Sequence, residues 1–412
     1  MKIGIDIRTL MDVQYSGVSE YTLNLIKEIL KLDNQNEYQL FYNSFGNCPN
    51  IPEFNAKNVK LVKYNYPNKI LNYLLFKFLN YPKIDRDLGV DVFFMPHINF
   101  IGLSSCHCES CNQGVAICVG AKKIIAVHDL SFLRNPEFFS LRKNFWHRTI
   151  NVKKLLKRFD QIIAVSENTK RDIMELCDID SEKIKVIYSG VGEEYKPIIK
   201  DTECPIGHSV SEAIEEKKLD EVKQKYNLPE KFILFLGTVE PRKNIEGVIM
   251  AYNQLRINNY ELKNVKLIIA GGKGWKSDNI YKEWEQSKFK DDIKFLDYVA
   301  SEDKAYLYNL ASVFIYPSFY EGFGFPFLEA MACGTPVISS YSSSLPEIVG
   351  NAGLLVNPYN VVDIANALEQ ILSQKELREK LIKKGLEQAS KFEWNKSATE
   401  YLKILFCHCE KL

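Results

Sequence analysis

The chain has 412 residues, of which 46% are hydrophobic and 25% charged, and its formal net charge is +1. A domain takes ~100–200 residues, so the length implies two domains, and so nearly neutral a balance gives no global case for nucleic acid as a partner. No uninterrupted apolar run is long enough to span a bilayer, and Met1-Lys2-Ile3-Gly4-Ile5-Asp6 enters a strand directly without a signal-peptide pattern, so the expected compartment is the cytoplasm.

Residues 2–7 read as a first strand. The loop after it carries Tyr15-Ser16-Gly17-Val18 into a helix over 19–32. A Gly-bearing strand-to-helix turn can bind phosphate, but many α/β loops contain Gly, and the turn alone does not decide between the two. Further strands are expected at 37–43, 59–65 and 90–96, with helical stretches between the last two, and such alternation implies a parallel, doubly wound sheet.

Ten cysteines are spread along the chain, several of them, such as Cys333, inside apolar runs where a thiol fills core. Cys106-His107-Cys108-Glu109-Ser110-Cys111, with Cys118 beyond, is a local polar cluster, and Cys407-His408-Cys409-Glu410 partly echoes it. Structural zinc sites show two clean pairs at Cys-x2-4-Cys spacing, which this cluster lacks. It is expected to be a surface insertion with ordinary thiols, and no metal is assigned.

The strand within 122–133 runs directly into His128-Asp129, at the strand's carboxyl end, where sites sit in this architecture. His128 reads either as a satisfied core histidine or as a site residue. Leu141–Phe159 holds seven Lys or Arg, no acid, and Phe145 and Trp146. It is expected to be one basic amphipathic helix, either a solvated face or a surface for anionic membrane with Trp146 as interfacial anchor. Residues 161–177 then read as a strand, a Ser166 cap and a helix, and 186–197 as the stretch that closes the first sheet.

Residues 1–197 thus form an amino-terminal domain, and 198–230 a linker and insertion that includes a charged helix. Residues 231–390 form a second domain, and 391–412 a helical tail that can pack back on the first. The second series of strands is expected at 231–236, 265–272, 293–299, 313–318, 336–340 and 353–358. The second half therefore repeats the architecture of the first, and the fold class is α/β, with two Rossmann-like doubly wound domains facing each other across a cleft.

Two stretches of the second domain carry chemistry. Gly237-Thr238-Val239-Glu240-Pro241-Arg242-Lys243-Asn244 follows its first strand, where adjacent cations can clamp a diphosphate. Tyr320–Ser340 contains the turn Gly322-Phe323-Gly324, which lets backbone approach a ligand closely, then Pro326 at a helix start and Gly334 at its end. The helix start favours an anion. Glu321 and Glu329 frame it, and as hydrogen-bond acceptors their natural partners are the hydroxyls of a sugar or ribose attached to that anion.

EGFGFPFLEAMACGTPVIS and GTVEPRKN together resemble the family-4 retaining glycosyltransferases with the GT-B fold, mannosyltransferases of bacterial surface polysaccharide assembly among them. VHDLSFL and SGVSEYTLNL support the likeness in the first half, so it covers nearly the whole chain. The cysteine-rich insertion at 104–120 and the loop at 200–210 depart from the family pattern. The resemblance implies transfer of a hexose, first of all mannose from GDP-mannose and otherwise a UDP-hexose, to a glycan or lipid-linked acceptor. The expected outcome is retention, without a cofactor or an essential metal. It implies that Glu321 contacts donor-sugar hydroxyls, that His128 lies near the reacting sugar, and that Glu329 holds the ribose. By the same likeness the amides around Gly322, Phe323 and Gly324 meet the sugar and phosphate, Arg242 and Lys243 clamp the diphosphate, and Gly17 marks the first-domain turn closing over it. Thr238 stands where many relatives carry Arg, which redistributes the cationic roles. A sugar-nucleotide epimerase or phosphorylase of the same fold, and a non-catalytic membrane-associated scaffold, are the competing readings; the complete Glu321–Glu329 stretch favours a transferase. A lipid-linked acceptor would place the enzyme at the inner face of the cytoplasmic membrane.

Overall fold

The computed structural model describes residues 1–12, 15–46, 51–104, 107–110, 116–198 and 210–406. The chain divides into two compact units, one of 1–133, 141–190 and 394–412, the other of 134–140 and 191–393.

The first unit holds β1 (Lys2–Asp6), β2 (Glu37–Asn43), β3 (Val59–Tyr64), β4 (Val92–Met95), β5 (His107–Ser110), β6 (Ala116–Val119), β7 (Lys122–Val127), β8 (Gln161–Ala164) and β9 (Ile184–Val186). Seven of them form a parallel sheet in the order β3-β2-β1-β4-β7-β8-β9. Its central strands are apolar on both faces, with Ile3, Ile5, Val92, Phe94, Ile124 and Ile162 fully buried. That is what helices on both sides of a parallel sheet demand. The helix Gly17–Leu32 starts with Ser16 accepting from the Ser19 N–H, and Glu167–Cys177 with Ser166 accepting from the Thr169 N–H.

The second unit holds β10 (Phe232–Leu236), β11 (Lys266–Ala270), β12 (Ile293–Leu296), β13 (Val313–Tyr316), β14 (Val337–Ser340) and β15 (Gly353–Val356). All pair in parallel, in the order β12-β11-β10-β13-β14-β15. In both sheets the order reverses between the first and fourth strands, and the loops leaving the carboxyl ends of those two strands diverge there to leave a crevice. The crevice of the second unit lies beyond β10 and β13; that of the first lies beyond β1 and β4.

The charged helix expected within 198–230 is present as Val210–Lys225, and it belongs to the second unit. It is tied in by Lys225 Nζ and Tyr226 Oη, which donate to Asp303 Oδ2 at 2.6 and 2.7 Å, and by Tyr306 Oη, which donates to Glu215 at 2.7 Å. The last strand of the first sheet is 184–186, ahead of the expected 186–197, because the carbonyls that pair with β8 come earlier. Leu141–Phe159 is two helices, Leu141–Ile150 and Val152–Leu156, broken at Asn151, which is left-handed (φ 54°) and caps the second by accepting from the Lys154 N–H. Trp146 is half-buried, edge-on to Phe100 at 6.1 Å, so it is no exposed anchor. Within the cysteine-rich insertion β5 and β6 form an antiparallel hairpin with Cys108 opposite Cys118. Cys106, Cys111 and the 407–410 echo lie outside the described residues. The helix Trp394–Phe406 belongs to the first unit, where Tyr401 Oη meets Tyr21 Oη.

Candidate active site

Two loops build the crevice of the second unit. After β10 the chain passes through Gly237, where a Cβ would meet the Tyr316 ring at 2.9 Å, so this glycine is required by packing of β10 on β13. It then makes a short turn at Pro241–Lys243, closed by Asn244 at φ 58°. Asn244 Nδ2 donates to the carbonyls of Pro317 and Pro358, at 3.2 and 2.7 Å, which fixes the turn against the loop leaving β13.

That second loop carries Glu321, which is 8% exposed. Arg242 Nη1 donates to its Oε2 at 2.9 Å and Lys243 Nζ to its Oε1 at 2.5 Å. Arg242 also donates to the Tyr320 carbonyl at 2.7 Å and, through Nη2, to Glu240 Oε1 at 2.9 Å. Lys243 Nζ lies 4.8 Å from the centre of the Tyr316 ring, a cation–π contact. Burial alone would push the Glu321 carboxyl up, but the charges of Arg242 and Lys243 override it and hold it down to about 2. Burial pushes Lys243 below its ordinary value, with Arg242 adding to the shift and Glu321 opposing it. Two acids, Glu240 and Glu321, and two cations, Arg242 and Lys243, thus close on each other largely out of solvent.

The Gly322-Phe323-Gly324 turn is held from a third strand. Glu321 N–H donates to Ser343 Oγ at 2.8 Å, and Ser344 Oγ donates to the carbonyls of Glu321 and Phe323 at 2.9 and 3.1 Å. Gly324 takes φ 107°, a conformation that favours glycine, and a Cβ there would sit 3.0 Å from Leu345. It is the N-cap of the helix Phe325–Ala332, with Pro326 in the first turn. The helix ends in a Schellman turn, in which Gly334 N–H donates to the Met331 carbonyl and Thr335 N–H to the Ala330 carbonyl, with Gly334 at φ 75°. The helix therefore aims its positive end at the crevice.

Glu329 lies one turn into that helix, half-buried, and has a different partner: Tyr308 Oη donates to its Oε2 at 2.8 Å. Burial and the nearby Glu329 carboxylate push the Tyr308 hydroxyl well above its ordinary value, so it remains a donor. The structure thus brings Arg242, Lys243 and Glu321 together and holds Glu329 separately.

In the first unit, His128 follows β7 directly. Its Nε2 donates to the Pro96 carbonyl at 2.9 Å, and its ring stands edge-on to Tyr21 at 4.5 Å. That bond leaves Nδ1 as the acceptor in the neutral ring. Burial lowers the His128 pKa, with the Pro96 carbonyl and Asp129 opposing. Asp129 is held locally just ahead of the helix Ser131–Arg134: its Oδ1 accepts from the N–H and Oγ of Ser131, at 2.9 and 2.6 Å. Gly17 is the first residue of the helix Gly17–Leu32 and is exposed.

Sequence reasoning missed residues in both units. Arg8 grips the fully buried Asp6 through Nε and Nη2, at 2.9 and 2.6 Å, at the carboxyl end of β1. Burial pushes His97, after β4, down to about 4. Glu240, Ser343 and Ser344 are the others. Their common signal is position, because each follows the carboxyl end of a strand at or next to an order reversal.

The family models described as "Glycosyl transferases group 1" and "Glycosyltransferase Family 4" match residues 216–388 and 15–195. O-antigen chain mannosyltransferase B of Escherichia coli is 34% identical over 286 residues, 68% of this chain and 68% of its own. The serotype-specific mannosyltransferase WbdA of Escherichia coli is 33% identical over 280 residues, which are 67% of this chain but 32% of that longer protein. Among solved structures, sucrose-phosphate synthase from Thermosynechococcus elongatus aligns with a TM-score of 0.71 at 19% identity, covering 98% of each chain. With both halves matched and a relative of that identity over two thirds of its length, the chain belongs to the family-4 glycosyltransferases and has their GT-B fold.

Proposed function

We propose that this glycosyltransferase moves mannose from GDP-mannose to a glycan or lipid-linked acceptor, with retention at the anomeric carbon and without an essential metal. The observation that carries the reading is Glu321 held between Arg242 and Lys243 at the order reversal of the second sheet. Departure of the nucleoside diphosphate builds negative charge on its oxygens. Two cations gathered at a helix start, once donor binding has drawn them to the diphosphate, would stabilise that charge with no further reorganisation at the moment of reaction. Arg242 and Lys243 turn from Glu321 toward the diphosphate, and Glu321 is then available to donor-sugar hydroxyls. Glu329, fixed by Tyr308, takes the ribose. The departing phosphate accepts the acceptor's proton on the same face, which gives retention without a protein nucleophile. His128, neutral and oriented by Pro96, offers Nδ1 to a sugar hydroxyl. The mannosyltransferase relatives support the choice of sugar.

The protein is expected to work at the inner face of the cytoplasmic membrane, where a lipid-linked acceptor and a cytosolic donor meet. No helix among the described residues is long and apolar enough to cross a membrane. The test is a thermal-shift screen with GDP, UDP and dTDP, followed by product analysis with the matching labelled sugar nucleotide in the presence of EDTA. A ligand bound by the native state raises the melting temperature with its concentration. GDP should stabilise most, and an α-linked product should form from GDP-α-mannose with EDTA present. Stabilisation by UDP alone would replace the donor; an inverted linkage or arrest by EDTA would overturn the mechanism.

A further inference from the structure

The sequence ILNYLLFKFL forms a π-helix, Ile70–Leu79, in the first unit, ended by Asn80, whose N–H reaches the Leu75 carbonyl five residues back. The π-helix is rare, and its single-turn form is frequent at functional sites. Only Leu71 and Phe76 are buried. The π turn is wider than an α turn, so steps of four keep Ile70, Leu74 and Phe78 on one side. They are 47%, 53% and 76% exposed, and Leu79 and Tyr81 continue the patch at 60% and 56%. A contiguous apolar patch of this kind marks a surface that something covers.

The charges around it identify what does. From 54 to 84 the sequence contains no Asp or Glu, while Lys77 lies within the helix and Lys69 and Lys83 flank it. The π-helix packs beside the two basic helices: Lys77 Nζ donates to the Thr149 carbonyl, and Tyr73 and Trp146 both pack on Phe100. Thr149 continues the spacing of the exposed Leu141 and Phe145, 89% and 66% accessible, so that apolar stripe runs toward Lys77. Between the π-helix and the basic helices lies a cavity of about 180 Å³, with Phe76 in its wall and Lys77, Asn99, Asn151, Lys154 and Arg158 around it. Arg158 is fixed there by donating to Asn80 Oδ1 at 2.9 Å. Apolar side chains beside cations and amides match a lipid, acyl chains beside a phosphate headgroup.

We propose that Ile70–Leu79 is the element that enters the surface of an anionic bilayer, and that the adjoining cavity receives a lipid headgroup phosphate. This moves the membrane contact from the basic helices, which supply attraction, to an apolar helix that supplies insertion. It rests on the membrane setting proposed above, but not on the donor or the chemistry.

The full chain is tested for co-sedimentation with vesicles of phosphatidylcholine alone and with phosphatidylglycerol added. Leu74→Ser/Phe78→Ser, Lys154→Gln and Phe78→Trp are compared with the unaltered protein. Binding should require phosphatidylglycerol, fall at least tenfold in Leu74→Ser/Phe78→Ser and several-fold in Lys154→Gln. In Phe78→Trp the emission of the introduced indole, taken as the difference from the unaltered protein, should shift to the blue on binding. Leu74 and Phe78 are exposed, so the double variant should keep its melting temperature and its turnover on a water-soluble acceptor. That separates loss of docking from failure of the transferase reading. Wild-type-like binding by the double variant, no binding at low salt, or an unshifted difference emission from Phe78→Trp on bound vesicles would overturn the proposal. So would a dimer of the unaltered chain that the double variant abolishes.

Discussion

The first six strands of each sheet, numbered along the chain, lie in the same order, 3-2-1-4-5-6, yet their crevices are made differently. In the first unit the ion pair at the order reversal is closed on itself: Asp6 is fully buried and Arg8 grips it with two nitrogens. Around it stand His97 and His128, both kept neutral by burial. In the second unit one carboxylate is shared by two cations, a second acid holds one of those cations, and the group lies at a helix start. A closed pair beside neutral rings offers directional hydrogen bonds and little net field. A shared carboxylate can yield its cations to an incoming polyanion. On the function proposed above, neutral hydroxyls would belong to the first crevice and phosphate to the second.

The sharpest way to break this contrast is Glu321→Gln, which keeps the shape and removes the shared charge. Turnover should fall by about 10²–10³-fold, the scale of losing a preorganised electrostatic contact. Glu321→Ala should in addition cost about 3–5 kcal/mol of stability, because Lys243 is left buried without its counter-charge. Initial rates and thermal melts read the two effects, and unaltered turnover in Glu321→Gln would reduce the network to packing.

Next in size is the pair Arg242→Ala and Lys243→Ala. Each removes charge-assisted hydrogen bonds of about 1.5–3 kcal/mol, so affinity for a nucleoside diphosphate should fall at least tenfold while that for the nucleoside barely moves. Calorimetric titration with both ligands decides, and equal losses would take the cations away from phosphate.

The pH dependence sharpens the contrast further. Glu321 has its folded pKa lowered from 4.5 to about 2. Its contribution to stability is therefore complete above pH 4.5 and disappears as pH falls through about 2. His128 is also lowered, from 6.5, but it is a base kept neutral, so folding stability declines as pH drops below 6.5 and the unfolded chain takes up the proton first. Melts from about pH 3 to 8 should show the acid limb flattened in Glu321→Gln and the step below pH 6.5 reduced in His128→Gln. A His128 imidazole that titrates by NMR at or above 6.5 would contradict the neutral crevice.

The smallest effect is expected at Glu240→Gln. It keeps a hydrogen bond to Arg242 and loses the charge, so donor KM should rise less than tenfold with kcat nearly unchanged. A larger change in kcat would place Glu240 among the groups that act on the reacting atoms.

The parts of this molecule that are legible in its sequence are those where one local rule suffices. Apolar runs such as VFIYPS and FILFL announce buried parallel strands, and the Gly-Phe-Gly turn before Pro326 announces a loop passing into a helix. Arg242, Lys243 and Glu321 can be singled out, but not their mutual grip. That depends on β10 and β13 being neighbours, which strand order decides and local sequence does not. Arg8 is silent for the same reason, since nothing near it hints that it closes over Asp6. Leu141–Phe159 reads as one helix because a charge count says nothing of a break, and Asn151 gives no stronger signal than any Asn. In Ile70–Leu79 the near-continuous hydrophobicity does not tell an inward face from an outward one, and only its packing shows how much of it is exposed.

The return of Trp394–Phe406 to the first unit sets an order of assembly. The helix Gly17–Leu32, against whose Tyr21 the Tyr401 hydroxyl rests, leaves the ribosome well before its covering helix does. Residues 191–393 are all synthesised before that cover exists. The unit begun first is thus completed second, and until then the face of Gly17–Leu32 that meets Tyr401 stays open, so a nascent chain stalled before residue 394 would carry the core of its first unit uncovered.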